Sequence, residues 1–311
     1  MAGLYDAVDD ATAAATLQEA WDHGLRYIDT APFYGYTRSE RRVGAFLAGR
    51  PRDSFVLSTK VGRLMLPDAS VRPGSDGWAD PLPFRPSFDY SYDGVLRSFE
   101  QSLERLGVSG IDILLVHDIG RLTHGEQHEL HWRALTEGGG LRALEQLRDQ
   151  GAVRAIGLGV NEWQVAQDML AIAPIDCVLL AGRYTLLEQG ALDFLNRCEA
   201  AGVGVLVGGP FNSGLLAGQA KYNYGNVPPE VAQRARELAD ACAEFKVPLQ
   251  AAALRFPLGH PAVVSVLAGM RSPEQVRANA QWIQTPIPDD FWAALRSRGL
   301  IDAAAPLPSA D

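Results

Sequence analysis

Strand-like and helix-like segments alternate along this chain of 311 residues. Seven short, largely apolar runs have the composition of buried strands, and helical segments separate most of them. A glycine follows four of the predicted helices, where it adopts the left-handed cap conformation at low cost: Gly24, Gly107, Gly151 and Gly202. Regular alternation without a break in composition predicts one domain, residues 1–311, that is built on a parallel sheet.

The boundaries of the predicted elements follow from these patterns. The predicted strands are 25–29, 55–60, 111–117, 154–160, 177–184, 203–209 and 262–268. The predicted helices are 10–23, 38–48, 92–106, 141–150, 162–171, 188–201, 229–245, 248–256, 273–281 and 289–298. Residues 61–92 are rich in proline and glycine, and we predict that they form a long loop.

The composition is that of a well-buried globular chain. Hydrophobic residues make up 47% of the sequence and charged residues 21%, which is unlike a disordered protein. The net charge of −9 argues against nucleic acid or an anionic membrane as a partner, and no apolar run has the length of a membrane span. Three widely spaced cysteines and a start without signal-peptide features predict a cytoplasmic protein with reduced thiols. The sequence makes no prediction of oligomeric state.

Three of the predicted strands end in ionisable residues. The first ends at Asp29, the second at Lys60 and the third at His117, and Tyr34 follows Asp29 in a loop with proline and glycine. A doubly wound sheet would also give the alternation, but its dinucleotide-binding form needs a GxGxxG turn after the first strand, which this chain lacks. Active sites of (β/α)8 barrels are assembled from many strand ends. We therefore predict a (β/α)8 TIM barrel.

The four residues Asp29, Tyr34, Lys60 and His117 have the chemistry of a proton-transfer site. A tyrosine titrates at about pH 10 in water, so it acts as an acid or base at neutral pH only if its pKa is lowered. We predict that Lys60, held charged by Asp29, lowers the pKa of Tyr34. His117 could donate a hydrogen bond to a carbonyl oxygen. Separate structural roles are the alternative, and the position of all four at strand ends argues against it.

The order of several motifs resembles the aldo-keto reductase family. The matching segments are Asp29–Gly35, Ser58–Lys60, Leu114–Asp118, Gly159–Asn161, Asn212–Leu216 and Ala268–Gln275. The resemblance implies a (β/α)8 barrel that binds NAD(P)(H) and no metal ion. It also implies that Tyr34 is the proton donor or acceptor, that Lys60 and Asp29 tune it, and that His117 orients the carbonyl.

The same resemblance implies a set of coenzyme contacts. Asn161 would hold the nicotinamide carboxamide. The residues that resemble contacts to the pyrophosphate and the adenosine are Ser213, Gly214, Leu215, Gly269, Arg271, Gln275 and Asn279. Gln275 stands where many relatives have an arginine for the 2′-phosphate, which slightly favours NAD over NADP, although Arg271 could still serve NADP.

Within the family, the chain is similar to bacterial members that oxidise a cyclic hemiacetal to a lactone. The segments that carry this likeness are Phe88–Gly94, Val116–Arg121, Ala181–Leu187 and Gly208–Asn212. The resemblance implies an NAD(P)-dependent aldose 1-dehydrogenase acting on C1 of a small sugar such as L-fucose, with Tyr34 as general base. The alternatives are oxidation of pyridoxal, reduction of a general aldehyde, and a regulatory coenzyme-binding protein without catalysis. We expect Trp78 to contact the substrate together with Tyr34 and His117.

Two further features bear on the predicted barrel. Seven strands are found where a barrel has eight, and Gly3-Leu4-Tyr5 resembles the end of the loop after the family's first strand. We therefore expect the first strand to be missing, through a start codon assigned too late or through a truncated paralogue. His124, His128 and His131 have a spacing that could bind a metal, but no cysteine or carboxylate completes the set. For them we predict a solvated helix and no metal.

Overall fold

The computed structural model describes residues 1–223 and 225–309, and their contacts group the chain into two compact units. The first unit comprises Met1–Val160, Ile172–Ile175 and Met270–Arg277. The second unit comprises Asn161–Ala171, Asp176–Gly269 and Ala278–Asp311. No helix in the described part of the chain is long and apolar enough to cross a bilayer.

The first unit is built around four parallel strands. Its strands are β1 (Tyr27–Asp29), β2 (Val56–Val61), β3 (Arg63–Pro67), β4 (Phe84–Phe88), β5 (Ile113–His117) and β6 (Ala155–Val160). Its helices are α1 (Asp10–Asp22), α2 (Arg38–Leu47), α3 (Tyr92–Leu106), α4 (Arg121–His124), α5 (His128–Thr136) and α6 (Gly140–Asp149). The parallel strands lie in the order β1-β2-β5-β6. All residues of β1, at the end of this order, are half-buried, whereas β5 is buried from its second residue onward.

The register of these strands brings their carboxyl ends to one edge. Asp29 lies opposite Ser58, Lys60 opposite Leu115, and His117 opposite Gly159. Since parallel strands all point the same way, residues that follow or finish each strand meet at this edge.

Helix α3 shows how the apolar spacing of the sequence fixes the packing of this unit. Val95, Phe99 and Leu106 are buried and recur at helical spacing, so they form one apolar face. Burying a side chain of this size stabilises the fold by about 1.5–3 kcal/mol. Helix α2 packs closely against the end of α3. A Cβ on Gly44 of α2 would lie only 2.4 Å from the carbonyl oxygen of Leu106 in α3. Any larger residue at position 44 would push α2 away from α3.

Residues 61–92 are not the long loop that the sequence predicted. β3 and β4 pair antiparallel within this segment, with Met65 opposite Pro86. Proline is tolerated because each strand of a two-stranded ribbon has one unpaired side. The segment after β5, where a helix was predicted around His124, His128 and His131, contains α4 and α5.

The second unit contains three parallel strands in the order β7-β8-β9. They are β7 (Cys177–Ala181), β8 (Gly204–Gly208) and β9 (Val263–Leu267). The remaining helices are α7 (Trp163–Leu170), α8 (Leu192–Ala201), α9 (Pro229–Glu244), α10 (Leu249–Arg255), α11 (Pro273–Ile283) and α12 (Asp289–Ser297). Every predicted strand is thus present among the described residues, four in the first unit and three in the second. The three cysteines are buried and unpaired by disulfides, as predicted.

Candidate active site

Three parallel strands and one loop bring the four predicted acid–base residues together in the first unit. Asp29 is the last residue of β1, Lys60 lies one residue before the end of β2, and His117 ends β5. Tyr34 lies in the loop after β1, where its backbone N–H donates to the carbonyl oxygen of Ala31 at 3.1 Å. The strand ends that drew attention in the sequence therefore share one edge of the sheet.

A buried ion pair fixes the position of Lys60. Its ammonium Nζ lies 2.7 Å from Asp29 Oδ2 and donates to the carbonyl oxygen of Thr30 at 2.9 Å. The other carboxylate oxygen, Asp29 Oδ1, accepts a hydrogen bond of 2.6 Å from Ser58 Oγ. Burial alone would lower the pKa of Lys60, but the negative charge of Asp29 and the contact with Tyr34 raise it above its ordinary value. Lys60 is therefore a fixed positive charge.

Tyr34 is the group on which that charge acts. Lys60 Nζ lies 4.6 Å from the centre of the Tyr34 ring. Burial nevertheless raises the pKa of Tyr34, and Lys60 only opposes part of that rise, while Asp29 and Asp118 add to it. Lys60 thus acts on the Tyr34 pKa in the predicted direction, but the net pKa is raised because desolvation of the phenolate outweighs the attraction of one lysine.

His117 stands edge-on to Tyr34. The two ring centres are 5.8 Å apart and the ring planes are almost perpendicular, at 86°. Burial and the positive charges of Arg63 and Lys60 hold the pKa of His117 well below its ordinary value, so the imidazole is neutral. Its main-chain carbonyl oxygen accepts a hydrogen bond of 2.8 Å from the Tyr90 hydroxyl. His117 is thus placed as a neutral hydrogen-bond donor beside Tyr34.

Arg63 and Asp118 belong to the site as well, although our sequence reasoning did not select them. Arg63 Nη2 donates to Asp118 Oδ2 at 2.6 Å, and the same oxygen lies 3.5 Å from His117 Nε2. The signal was available in the sequence, because each residue is charged and follows a strand that carries a selected residue, Arg63 after β2 and Asp118 after β5.

Aromatic side chains line the site next to Tyr34. The ring centre of Trp78 lies 5.9 Å from that of Tyr34 and 5.8 Å from that of Phe33. Trp78 is 7% exposed and packs in a small apolar cluster with Tyr36 and Met65. The residue that we expected to contact the substrate is therefore adjacent to the acid–base group and is largely buried.

Known proteins share the sequence of this chain over nearly its whole length. A model of the Aldo/keto reductase family matches residues 1–298. A pyridoxal 4-dehydrogenase from Microbacterium luteolum is 51% identical over 97% of this chain and 92% of that protein. A D-threo-aldose 1-dehydrogenase from Pseudomonas sp is 41% identical over 96% of this chain and 91% of that protein. The chain belongs to the aldo/keto reductase family.

Solved structures share the fold of this aldo-keto reductase. An aldo-keto reductase from Bacillus halodurans, in its holo form, matches with a TM-score of 0.73 at 24% identity, over 97% of this chain and 92% of that chain. The glycerol dehydrogenase of Gluconobacter oxydans matches with a TM-score of 0.71 at 22% identity, over 99% and 90% of the two chains. These likenesses confirm the predicted fold class, a (β/α)8 barrel of the aldo-keto reductase type. Seven parallel strands lie among the described residues.

In the second unit, the segments that resemble coenzyme contacts follow strand ends. Asn161 comes directly after β6, and its carbonyl oxygen accepts a hydrogen bond of 2.8 Å from Arg183 Nε. Ser213, Gly214 and Leu215 lie in a tight turn after β8, where Ser213 and Gly214 have φ angles of 59° and 93°. The amide of Asn212 anchors this turn, since its Oδ1 accepts from Thr185 Oγ1 at 2.8 Å and its Nδ2 donates to Glu188 at 3.0 Å. Gly269 follows β9, and Asn279 lies in α11.

In the first unit, Arg271 and Gln275 lie against each other. The side-chain oxygen of Gln275 accepts a hydrogen bond of 2.7 Å from the backbone N–H of Arg271. The Arg271 guanidinium forms an ion pair with the carboxylate of Asp6. The positive charge that could serve a 2′-phosphate is therefore already partnered.

The three histidines after β5 do not form the solvated helix that we predicted. His124 and His128 are buried, and the rings of His124 and His131 are 4.2 Å apart. His124 Nε2 lies 2.9 Å from the Tyr90 hydroxyl, and Phe88 packs edge-on against the His124 ring. Phe88, the last residue of β4, and Tyr90 just after it cover the His124 ring and keep it from solvent. No group of three or more potential metal ligands occurs among the described residues.

Proposed function

We propose that this aldo-keto reductase uses a nicotinamide coenzyme to oxidise a cyclic hemiacetal to a lactone. The observation that carries the proposal is the position of Tyr34 between a fixed cation and a neutral imidazole, with Lys60 Nζ 4.6 Å and the His117 ring 5.8 Å from its ring centre. A hydroxyl group placed between Tyr34 and His117 would meet one proton acceptor and one hydrogen-bond donor.

The reaction removes one proton and one hydride from the substrate. Tyr34, as the phenolate, takes the proton of the hemiacetal hydroxyl, and the carbon–oxygen single bond becomes the lactone carbonyl. A bound oxidised nicotinamide coenzyme would supply the hydride acceptor for the same carbon, which balances the two-electron oxidation. In reverse, the phenol of Tyr34 donates a proton to a carbonyl oxygen, which is aldehyde reduction.

Lys60 and His117 contribute differently to this step. Lys60 supplies positive charge to the developing phenolate, and it cannot move away because Asp29 and the Thr30 carbonyl hold its ammonium. Because burial raises the pKa of Tyr34, oxidation depends on this charge more than it would at an exposed site. His117 is neutral, so it can donate to the substrate oxygen without adding a second cation next to Lys60.

Pyridoxal in its hemiacetal form is the substrate that we propose first. The relative named a pyridoxal 4-dehydrogenase is 51% identical, compared with 41% for the D-threo-aldose 1-dehydrogenase. The flat faces of Phe33 and Trp78 beside Tyr34 suit an aromatic ring. An aldose such as L-fucose, which the sequence alone put first, is the second candidate, because an apolar sugar face also packs on tryptophan. In both cases Trp78, Tyr34 and His117 would contact the substrate.

The residues present fit a nicotinamide dinucleotide by their chemistry. The proposed set combines neutral hydrogen-bonding side chains, one cation, and glycine and leucine positions that offer backbone groups, which suits a carboxamide, a diphosphate and an adenosine: Asn161, Ser213, Gly214, Leu215, Gly269, Arg271, Gln275 and Asn279. We propose NAD slightly ahead of NADP, since the Asp6 carboxylate already pairs with Arg271. We also propose that residues 1–311 act as one catalytic domain, which the family match over 1–298 supports.

The test follows the absorbance of reduced coenzyme with pyridoxal and L-fucose, each with NAD and with NADP. We expect turnover with pyridoxal and NAD that falls by about 100-fold or more in Tyr34→Phe, which keeps the ring but removes the hydroxyl. Coenzyme binding without turnover on either substrate would contradict the proposal and favour the regulatory alternative. Turnover that survives in Tyr34→Phe would contradict the assignment of the base.

A further inference from the structure

A second, largely buried ion pair lies beside His117, in addition to the pair formed by Asp29 and Lys60. Arg63 Nη2 lies 2.6 Å from Asp118 Oδ2, with side-chain exposures of 6% and 14%. The guanidinium carbon of Arg63 lies 4.3 Å from the ring centre of Phe33 and 5.5 Å from that of Phe88. A cation held by a carboxylate and two aromatic rings has little freedom to move. Buried ion pairs contribute little net stability, so this one invites a functional explanation.

The backbone of Asp118 directs its carboxylate toward His117. Asp118 has a φ angle of 43°, in the left-handed region that glycine adopts freely and that aspartate and asparagine enter more readily than other residues. Its backbone N–H donates to the carbonyl oxygen of Gly159 on β6 at 2.9 Å, which holds this conformation. As a result, Asp118 Oδ2 lies 3.5 Å from Nε2 of the preceding residue, His117. A residue other than glycine keeps a left-handed backbone only where the surrounding structure imposes it, and such residues are often found at functional sites.

The surroundings of the two ring nitrogens of His117 differ. Nε2 faces the Asp118 carboxylate, whereas Nδ1 is buried and has no hydrogen-bond partner among the described residues. A neutral imidazole carries one proton. A buried N–H without an acceptor costs more than a buried lone pair without a donor, so the proton belongs on Nε2.

We propose that Arg63 and Asp118 are a positioning pair that keeps His117 neutral with its proton on Nε2. Because Asp118 Oδ2 lies 3.5 Å from Nε2, farther than a hydrogen bond, the carboxylate attracts this proton but leaves it available to the substrate oxygen. Asp118 selects the protonated nitrogen, and Arg63 holds Asp118 in place and offsets its charge. This inference rests on the proposed function only for the identity of the oxygen that receives the hydrogen bond.

The charges around His117 explain why both members are needed. Lys60 and Arg63 are positive, Asp29 and Asp118 are negative, and Tyr34 is neutral in the resting site. Asp118 without Arg63 would leave an uncompensated carboxylate beside the imidazole and favour a doubly protonated, cationic His117. Such an imidazolium would sit near Lys60 and would change the acid–base properties of Tyr34.

The first experiment reads the proton position directly, without substrate. Protein labelled with 15N-histidine is studied by long-range 1H–15N correlation, and the His117 signals are assigned with His117→Asn. We expect the pattern of an Nε2-protonated, neutral imidazole from pH 8 down to about pH 5. Asp118→Gly keeps the left-handed backbone available while it removes the carboxylate, and we expect it to populate the Nδ1-protonated form. In Arg63→Met the pKa of His117 is expected to rise, so that the ring titrates within this pH range.

The second experiment measures the oxidation of pyridoxal by NAD. We expect Asp118→Gly and Arg63→Met to lower kcat by about 10- to 100-fold, with KM changed much less. Arg63→Lys retains the positive charge and is expected to recover part of the loss. Asp112→Asn is the matched control, because Asp112 is a buried, arginine-paired carboxylate at the other end of the same strand.

Three results would overturn the proposal. These are a wild-type His117 with its proton on Nδ1, an Asp118→Gly protein with unchanged proton position and kcat, and losses in kcat that Asp112→Asn reproduces. The wild-type spectrum alone shows which ring nitrogen of His117 carries the proton, so the proposal can be tested even if a variant does not fold. Failure of the proposed function has a different signature, namely turnover that survives Tyr34→Phe or no oxidation of either substrate, while the spectrum of His117 is unaffected.

Discussion

An arginine-paired aspartate flanks each end of β5, Asp112 buried and Asp118 half-buried, and the two ends differ in how completely their polar groups are satisfied. At the amino end, Asp112 accepts from Arg52 Nη2 at 2.7 Å and from the backbone N–H of Leu57 at 2.8 Å, and Arg154 lies within 3.5 Å. At the carboxyl end, Asp118 is shared between Arg63 and His117. Buried atoms without a partner among the described residues also cluster there, namely Arg63 Nε, His117 Nδ1 and Trp78 Nε1.

This difference indicates that the aspartate at the amino end of β5 serves stability and the aspartate at the carboxyl end serves catalysis. A carboxylate that accepts from several donors of neighbouring segments ties those segments together and has less left to offer a ligand. Groups that are buried and incompletely paired are costly, and such groups concentrate at functional sites. The amino end of β5 is therefore expected to respond to substitution through unfolding, and the carboxyl end through catalysis.

The largest effect is expected at the carboxyl end, from Lys60→Met. Methionine has a similar length but no charge, so the Tyr34 phenolate loses its cation. We expect kcat/KM for oxidation to fall by about 100- to 10,000-fold. Steady-state kinetics of the single variants and of Lys60→Met with Tyr34→Phe check this, since residues that act together should give far less than additive losses. Additive losses would mean that Lys60 acts independently of Tyr34.

The amino end should show the opposite behaviour in Asp112→Asn. Removing the charge leaves Arg52 and the partly exposed Arg154 without their carboxylate. We expect the free energy of unfolding to fall by about 2–3 kcal/mol, below the cost of breaking a fully buried pair, because both arginines can turn toward water. Urea unfolding should show a lower midpoint with an unchanged slope. A change in kcat without a change in stability would break the contrast between the two ends.

Acid should destabilise the fold around the carboxyl end of β5 through His124. The Tyr90 hydroxyl connects this residue to His117, since it contacts His124 Nε2 and donates to the His117 carbonyl oxygen. Burial, the positive charge of His131 and that of Arg63 lower the pKa of His124 to about 4. In the unfolded chain a histidine titrates at about 6.5, so the neutral form favours the fold above that pH. We therefore expect this stabilisation to be complete above about pH 6.5 and to be lost progressively toward pH 4, a change of roughly 2 kcal/mol.

The measurement is the free energy of unfolding as a function of pH for the wild type and for His124→Gln. The variant should have a shallower dependence between pH 6.5 and 4, because glutamine does not titrate there. His23→Gln serves as the control, since His23 lies exposed at the end of α1. If the free energy of unfolding depends on pH equally in the wild type and in His124→Gln, the loss of stability in acid does not come from His124.

The smallest expected effect concerns coenzyme choice. Asp6→Asn releases Arg271 from its ion pair, and the freed guanidinium can then meet a 2′-phosphate. Since exposed ion pairs contribute at most about 1 kcal/mol, we expect the ratio of kcat/KM with NADP to that with NAD to rise by about 2- to 5-fold. Arg271→Gln should instead lower the NADP value alone. An unchanged ratio in both variants would exclude Arg271 from coenzyme selection.

The sequence predicted the strands well because their signal is local. β6 is apolar over its whole length, β5 is apolar up to His117, and β2 is buried from its second residue onward; the parallel arrangement follows from the helices between the strands. Gly107 and Gly202 cap α3 and α8 in the left-handed conformation, as expected from their positions. The hairpin β3–β4 escaped prediction because its prolines indicate a loop, and only pairing with a partner strand shows that Pro86 is tolerated.

For the site, residue type and strand position were enough to select Asp29, Tyr34, Lys60 and His117. The local sequence pattern could not show which other charged side chains lie beside these four residues. Asp118 acts on His117 only because a left-handed backbone turns its carboxylate back, and Arg63 reaches it only because Phe33 and Phe88 hold the guanidinium between them. The same limit applies to His124 and His128, whose burial depends on aromatic residues that are distant in sequence.

The sequence by itself thus determined the family and the order of the parallel strands along the chain, and it selected the candidate acid–base residues, because each leaves a local mark in composition or motif. Tertiary structure alone decided that burial raises the pKa of Tyr34, that His117 is neutral, and that a second ion pair flanks it. The physical reason is that desolvation and charge interactions depend on distances of a few ångströms between segments that the chain order keeps far apart.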